Sequence, residues 1–309
     1  SPPQVLAIRL TDRVGKGLRG SPRDALIADS VHPSDRGRAF GFQRAGDHAG
    51  AVVGAIVGVA LLQWWGFDMR TVFWLAAIPG VMAVAVVLLF VREPPAGASK
   101  EALASPGNSS GAPAAALVSA SLPRSFWGYL AIVLIFTLGN STDAFLLLRA
   151  QQLGVPLPLL PIIWAMLHVV KSLASTPGGA LSDRIGRMPT VVAGWSIYAV
   201  VYLGFAVASA PWHAWMLVAV YGVFFALTEG PERALVADFA GERNRGTAFG
   251  WFHLVVGLGA FPASVLFGVV WDRLGPGAAF GMGAALALAA AVAMAALPRP
   301  SRDSARRLP

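Results

Sequence analysis

Charged and titratable side chains occur within stretches of this chain that are otherwise apolar. Seven charged residues fall within the sixteen positions from Arg9 to Asp24, although only 13% of the 309 residues are charged. A charge at the centre of a bilayer costs at least ~2.5–3.5 kcal/mol, so such groups must face protein or water rather than lipid. Carboxylates and imidazoles in a partly dry cavity can exchange protons near neutral pH. These residue types therefore predict proton and ion handling.

Four titratable groups are candidates for proton coupling. Asp143 is the first choice, because no cation lies one helical turn away within its own apolar segment. Asp47 is the second, because the adjacent His48 could share a proton with it. Glu229 is also a candidate, but its i,i+4 spacing from Arg233 favours a structural ion pair.

A second group of polar residues is predicted to line a substrate pathway. The charged residues of the opening stretch fall within about 140° of one helix at 3.6 residues per turn. Five cations and two anions share that face, which suits an anionic solute, and a buried network of ion pairs is the alternative. His168 is either a functional group or a hydrogen-bonded interior histidine. The predicted pathway residues are Arg9, Asp12, Arg13, Lys16, Arg44, His168 and Lys171.

The apolar segments are long enough to cross a membrane, which takes about 20 residues as a helix. The sequence is 56% hydrophobic, and it predicts an all-α, multi-pass membrane protein embedded in a lipid bilayer. Nine spans are predicted, at residues 4–29, 42–62, 71–91, 126–148, 157–181, 189–210, 212–238, 247–271 and 276–297.

Lys and Arg are distributed unevenly between the two sides of these spans. Thirteen lie on one side and three on the other. The positive-inside rule makes the thirteen-residue side cytoplasmic, the C-terminal tail included. This placement explains the net charge of +8 without a nucleic-acid partner. The chain has no cysteine and its five histidines lack metal-ligand spacing, so neither a metal nor another cofactor is predicted.

The chain contains an internal repeat. Residues 22–41 match residues 231–250 at ten of twenty positions, and the two copies are six predicted spans apart. An even number of spans gives both copies the same direction across the membrane, as in parallel repeats of two similar half-bundles. Three spans precede the second copy within its half and none precedes the first. We therefore expect nine of twelve spans, with the first three helices missing.

The repeat and the composition together predict four regions. They are an N-terminal half-bundle of three spans at 1–93, a Pro-, Ala-, Gly- and Ser-rich cytoplasmic linker at 94–124, a six-helix half-bundle at 125–298 and a basic cytoplasmic tail at 299–309.

The loop "GGALSDRIGRMP" carries a family resemblance. It resembles the signature loop of the major facilitator superfamily, G-x-x-x-D-R-x-G-R followed by a basic residue, and Met188 departs at that last position. The resemblance implies a two-half helical bundle in which the loop aspartate latches the cytoplasmic side at the N-terminus of a neighbouring helix. We expect that helix to be the eighth span. The gate residues are Gly179, Asp183, Arg184, Gly186, Arg187 and Arg245.

The resemblance also implies a function. It predicts a monomeric secondary transporter of a small solute, working by alternating access with proton coupling in a bacterial plasma (inner) membrane. An enzyme is disfavoured, because the sequence shows no nucleophile elbow, H-E-x-x-H pair or phosphate-binding loop in context. The alternative is a transport-inactive, truncated membrane protein with an interaction or sensing role.

Overall fold

A computed structural model describes residues 19–90 and 122–298, and all regular structure in those two ranges is helical. This confirms the predicted all-α fold. The helices are α1 (19–30), α2 (Arg36–Gln63), α3 (Met69–Phe90), α4 (Arg124–Gly139), α5 (Ala144–Gln152), α6 (Leu160–Ile185), α7 (Arg187–Val207), α8 (Pro211–Ala240), α9 (Arg245–Leu274) and α10 (Pro276–Ala296).

Eight helical segments in the described part of the chain are long and apolar enough to cross a membrane. They correspond to the second through ninth predicted spans, although α2 begins at Arg36 rather than at residue 42. The first predicted span, 4–29, lies mostly outside the described residues. Large apolar side chains such as Leu173, Val207 and Phe261 are exposed on the helix surfaces. Such exposure suits a hydrocarbon environment rather than water.

The chain divides into two compact units, one of which comprises residues 53–119. In its described part, Asp68 precedes α3 and accepts a hydrogen bond from the backbone N–H of Thr71 (3.3 Å), an N-cap contact. The second unit combines residues 1–52 with residues 120–309 and holds all the polar clusters considered below. The predicted boundaries at 93, 124 and 298 remain a prediction.

The core of the second unit is an aromatic stack. The rings of Phe136 and Trp195 stack at 4.6 Å between centroids, and those of Tyr198 and Tyr202 at 4.0 Å. Aromatic pairs of this kind add about 0.5–1.5 kcal/mol each beyond the area they bury. This stack fixes α4 and α7, two of the helices that surround the polar residues.

Two breaks in the helices place polar groups at defined depths. The fourth span is interrupted after Gly139, where Asn140 leaves the helical region (φ −94°, ψ 87°), and helix resumes at Ala144. The Tyr198 hydroxyl donates to the freed carbonyl of Gly139 (2.9 Å). Irregular backbone at membrane depth requires such partners. The second break is Gly186, whose φ of +102° favours glycine and turns α6 directly into α7.

The two copies of the repeat face each other. They are offset by 209 residues, and Phe40 and Phe249 occupy the same position in their respective copies. These two rings lie 6.0 Å apart between centroids. A contact between equivalent residues is expected on a two-fold axis. The helix pairs α1–α2 and α8–α9 are therefore arranged as parallel repeats around a common axis.

Candidate functional site

Reciprocal ion pairs join the two copies of the repeat. Arg36 Nη1 lies 3.1 Å from Asp238 Oδ1, and the side chains of Arg245 and Asp29 form the equivalent pair. Arg36 corresponds to Arg245 and Asp29 to Asp238, so this is one contact made twice. Both arginines are buried. A buried guanidinium needs a carboxylate partner, and here each copy supplies the partner for the other.

Asp183 caps a helix of the first repeat copy. Its Oδ1 accepts from the backbone N–H of Gly37 (2.9 Å) and its Oδ2 from that of Arg38 (2.8 Å), both in the first turn of α2. A carboxylate is favoured at this positive end of a helix. The expectation that Asp183 faces the start of the eighth span is therefore wrong. The two helix starts are equivalent in sequence, and the loop contacts the other one.

Close helix packing makes this cap possible. A Cβ atom on Gly37 would lie 2.5 Å from the carbonyl oxygen of Gly179, and one on Gly179 would lie within van der Waals overlap of the Gly37 backbone. Only glycine at both positions lets α2 and α6 approach so closely. This gives Gly179, a predicted gate residue, a role in positioning the Asp183 carboxylate.

The other predicted gate residues surround this cap. Arg187 lies 3.6 Å from Asp183 and also pairs with Asp238, so it connects the helix cap to the reciprocal ion pairs. Arg184 is exposed at the end of α6. We name the charged side chains at this end of the bundle the ion-pair layer, which consists of Asp29, Arg36, Asp183, Arg187, Asp238 and Arg245.

A fully buried aspartate connects α1 to both α8 and α9. The Oδ2 atom of Asp24 lies 3.2 Å from Arg233 Nε and 3.0 Å from His253 Nε2, and Oδ1 lies 3.1 Å from Arg23 Nη2. Asp24 and Arg233 occupy equivalent repeat positions with opposite charge. The preferred interpretation of Glu229 and Arg233 as an i,i+4 side-chain pair is therefore wrong, because the Arg233 side chain pairs with Asp24. It reaches only the backbone carbonyl of Glu229.

A chain of three titratable side chains crosses from α8 through α2 to α6. His48 Nε2 lies 2.8 Å from Glu229 Oε2, and His48 Nδ1 lies 3.3 Å from His168 Nδ1. If His48 donates from Nε2 to the carboxylate, its Nδ1 accepts from His168 in the neutral state. A second proton on His48 would make its Nδ1 a donor, and His168 would then have to accept through its own Nδ1. The direction of this hydrogen bond therefore depends on the tautomers of both histidines.

Asp47 is directed away from this chain. Its Oδ2 accepts from Arg44 Nη1 (3.2 Å) and Gln43 Nε2 (2.5 Å), and its side chain is 46% exposed. The expectation that Asp47 shares a proton with His48 is not met. Adjacent residues on a helix point about 100° apart, and His48 turns to Glu229 instead. Arg44 is mostly buried beside Asp47.

Lys171 and Asp143 meet at the break in the fourth span. Lys171 Nζ lies 3.8 Å from Asp143 Oδ2, and the Tyr221 hydroxyl donates to Asp143 Oδ1 (2.7 Å). Asp143 therefore does have a cation nearby, although it comes from α6 rather than from its own span. We name the polar side chains from the middle of the helices the central cluster, which consists of Arg44, His48, Asp143, His168, Lys171 and Glu229.

The remaining predicted pathway residues, namely Arg9, Asp12, Arg13 and Lys16, lie outside the described residues. Within the described ranges no group of three His, Cys, Asp or Glu side chains has the arrangement of a metal site.

Several contacts were not anticipated from the sequence. Asp29, Asp238 and Tyr221 drew no functional prediction, although each pairs with a residue that did. A signal was available for the first two. Asp29 and Arg36 are separated by the same seven positions as Asp238 and Arg245, and all four are among the identities of the repeat.

The fold and the site define a class of protein. Parallel repeats of membrane-spanning helices, ion pairs between the repeats at one end and titratable groups at mid-helix describe a multi-pass helical membrane protein with two related sets of helices. The sequence profile of the Major Facilitator Superfamily matches residues 1–263 and 151–309. The chain belongs to that superfamily.

Three curated relatives illustrate the similarity. An uncharacterized MFS-type transporter of Methanocaldococcus jannaschii is 33% identical over 87% of this chain and 66% of its own length. A probable 4-methylmuconolactone transporter of Cupriavidus pinatubonensis is 27% identical over 61% of the chain and 44% of its own length. The multidrug resistance protein MdtH of Cronobacter sakazakii is 30% identical over 29% and 22%. The chain thus spans slightly less than two thirds of the first of these relatives.

Proposed function

We propose that the protein is a secondary transporter that moves a small solute by alternating access and couples this movement to protons. The observation that supports this most is the pair of reciprocal contacts between the repeat copies, Arg36–Asp238 and Arg245–Asp29. Two related sets of helices that are joined by such ion pairs at one end can separate there and close at the other end. The names of the relatives as transporters support the same reading.

The ion-pair layer is the cytoplasmic gate in this proposal. Basic residues concentrate at this end, among them Arg38 and Arg184, whereas Arg273 lies in the last turn of α9, at its opposite end from Arg245. The positive-inside rule then puts the ion-pair layer and the C-terminal tail in the cytoplasm. In the arrangement described here the ion pairs are formed, so the cytoplasmic side is closed.

The proton route runs through the central cluster. Glu229, His48 and His168 form a hydrogen-bonded chain, and Lys171 follows His168 by one turn of α6 and faces Asp143. Each of these side chains can bind a proton, and together they extend from α8 to the break in the fourth span. His48 lies on α2, which begins in the first repeat copy, and Glu229 lies on α8, which ends in the second. A change in its protonation therefore acts on contacts between the two sets of helices.

Proton flux in proteoliposomes tests this function. The full-length protein is reconstituted with pyranine inside, and a panel of sugars, amino acids, monocarboxylates and organic cations is added in turn. At least one class should change the internal pH, and vesicles with a His48→Gln variant should not respond. The matched control is Arg273→Gln, which removes an exposed charge outside the ion-pair layer and the central cluster. A wild-type protein that moves no member of the panel would contradict the proposal.

A further inference from the structure

Lys171 is a buried ammonium with too few acceptors. Its side chain is 5% exposed, and its nitrogen lies 3.2 Å from the centre of the Phe225 ring. Its nitrogen forms an ion pair with Asp143 Oδ2 at 3.8 Å, beyond hydrogen-bond distance, and Glu229 adds a more distant negative charge. An ammonium has three N–H groups to donate. A buried cation in this state favours an additional anionic acceptor.

Asp143 is held in place by another donor. Tyr221, from α8, donates to its Oδ1 at 2.7 Å, so the carboxylate keeps one strong hydrogen bond without Lys171. Its side chain is 23% exposed, against 5% for that of Lys171. The carboxylate is therefore the member of the pair that water and protons reach. It does not cap its own helix, α5, and is directed toward the cluster instead.

A second cationic donor near the centre also lacks a partner. Arg44 Nε, Gln43 Oε1 and Arg245 Nε are the buried side-chain atoms left without a hydrogen bond among the described residues. Two of these three atoms are guanidinium donors, and Arg44 belongs to the central cluster. Arg44 precedes His48 by one turn of α2, and His48 contacts His168. Near the centre, the Arg44 Nε donor therefore lacks an acceptor, and the Gln43 Oε1 acceptor on the same helix lacks a donor.

We propose that the transported solute is an organic monoanion, such as a monocarboxylate, whose charged group binds to Lys171 in place of Asp143. This inference rests on the proposed transport function. A proton from the aqueous phase binds the Asp143 carboxylate and neutralises it, and the solute carboxylate then becomes the counter-ion of Lys171. Lys171 and ionised Asp143 have a net charge of zero before binding. After binding, Lys171, protonated Asp143 and the solute carboxylate again sum to zero. One proton and one anion enter and leave together, so the transport step is electroneutral symport.

The groups that face Asp143 are consistent with this exchange. They are Lys171 from α6, Tyr221 from α8 and, further away, Tyr198 and Tyr202 from α7 and His168 from α6. From α9, Phe267 contacts Phe145, which follows Asp143 by two residues. The hydroxyl groups can donate to a carboxylate but cannot replace its negative charge. His168 and Glu229 belong to the hydrogen-bonded series through His48, which supplies the proton route in this proposal.

Binding to the purified full-length protein tests the inference separately from transport. The probes are benzoate, benzamide and benzylammonium, which share a ring and differ in charge, together with the carboxylates from acetate to octanoate. Thermal stabilisation in detergent should occur with carboxylates and not with the neutral or cationic analogues. Lys171→Gln should weaken carboxylate binding about 10- to 100-fold, the range of one charge-assisted hydrogen bond. Lys171→Arg and the control Arg273→Gln should retain it.

Asp143→Asn distinguishes exchange from a structural role of the pair. The amide imitates the protonated carboxyl group, so this variant should bind benzoate as tightly as the wild type does at low pH. Wild-type binding should strengthen as the pH falls, because the proton on Asp143 releases Lys171, whereas binding to Asp143→Asn should not change with pH. If the pair were only structural, Asp143→Asn would weaken binding at every pH.

The outcomes separate this inference from the proposed function. Proton flux driven by cations or neutral solutes, with no binding of any carboxylate, would overturn the inference and leave the transporter in place. Carboxylate binding that depends on Lys171, without flux of any solute, would support the inference about the site and contradict the transporter. Stabilisation by benzylammonium and not by benzoate would overturn the inference, because it would show that the Asp143 carboxylate and the neighbouring aromatic rings bind a cation.

Discussion

The ion-pair layer and the central cluster differ in how they use the repeat. The ion-pair layer contains one contact made twice, as Arg36–Asp238 and as Arg245–Asp29. In the central cluster His48 has no counterpart, because the position 209 residues later is Gly257. The two reciprocal pairs of the ion-pair layer thus keep the residues of the repeat, whereas His48 of the central cluster does not. Arg44 likewise corresponds to His253.

The difference follows from what each region binds. In the ion-pair layer the two sets of helices bind each other, and a symmetric contact satisfies both sides with the same residues. A solute and a proton are not symmetric about the axis. A site for them requires different groups on its two sides, as His48 in one copy and Glu229 in the other. Departure from the repeat does not by itself identify such a site, since Asp24 and Arg233 also differ and pair with each other. At His48 and Glu229 it agrees with the proposed proton route.

The largest effect is expected at the buried aspartate between the two regions. Asp24→Asn leaves Arg23, Arg233 and His253 without their carboxylate in a fully buried position. Breaking such a group should lower the free energy of unfolding by about 3–5 kcal/mol. The matched variant Asp29→Asn removes a carboxylate whose side chain is 49% exposed, and its effect should be smaller. Unfolding in detergent measures both, and equal losses would contradict the burial argument.

Two glycines at the same repeat position provide the next comparison. A Cβ on Gly37 would overlap Ser182 and the Gly179 carbonyl oxygen, whereas a Cβ on Gly246 would meet no described atom within 4 Å. Gly37→Ala should destabilise by about 1–3 kcal/mol through overpacking. Gly246→Ala should be neutral or slightly stabilising, because alanine is the better helix former. The melting temperatures of the two variants test this, and a loss at Gly246 as large as at Gly37 would count against the close approach described.

Exchanging the two charges of an ion pair tests whether the two reciprocal pairs of the ion-pair layer are equivalent. Arg36→Asp should weaken the ion-pair layer, and the double variant Arg36→Asp with Asp238→Arg should recover part of the loss, because Asp238 also pairs with Arg187. The coupling energy expected for such contacts is about 0.5–3 kcal/mol. The equivalent exchange of Arg245 and Asp29 should also recover part of its loss, because the same two residue types meet there. Double-mutant cycles on thermal stability provide both values, and rescue of only one pair would break the symmetry.

The smallest effect is expected at the helix cap. Asp183→Asn keeps an acceptor oxygen for only one of the backbone N–H groups of Gly37 and Arg38, and it loses the charge at the helix N-terminus. The electrostatic part of the loss should be about 0.3–1 kcal/mol. Chemical denaturation at two salt concentrations tests the electrostatic origin, since high salt should reduce the difference from the wild type. A difference independent of salt would assign the effect to packing instead.

Much of the fold could be predicted from the sequence because apolar length and repeat identity are local signals. Eight of the nine predicted spans correspond to helices, and the gate loop was located by the spacing of Asp183, Gly186 and Arg187. The partner of Asp183 was not predictable in the same way. The starts of α2 and α9 share the sequence Arg-Gly, so the sequence alone gave two equivalent helix ends and no means of choosing between them.

The contacts within the central cluster could not be predicted from the sequence for a different reason. His48 and Glu229 are 181 positions apart, and neither lies at a repeat position with an equivalent side chain. Local spacing instead suggested Asp47 for His48 and Arg233 for Glu229. Both suggestions failed because helix neighbours compete with partners on other helices, and only packing decides between them.

The central claim is that the chain of His48, Glu229 and His168 couples the solute to the proton. Its most direct test compares two rates for His48→Gln in proteoliposomes: solute uptake driven by a pH gradient, and exchange of labelled for unlabelled solute without a gradient. We predict that driven uptake falls to background while exchange continues, because the solute site remains and only the proton step is lost. Driven uptake equal to that of the wild type would contradict the account.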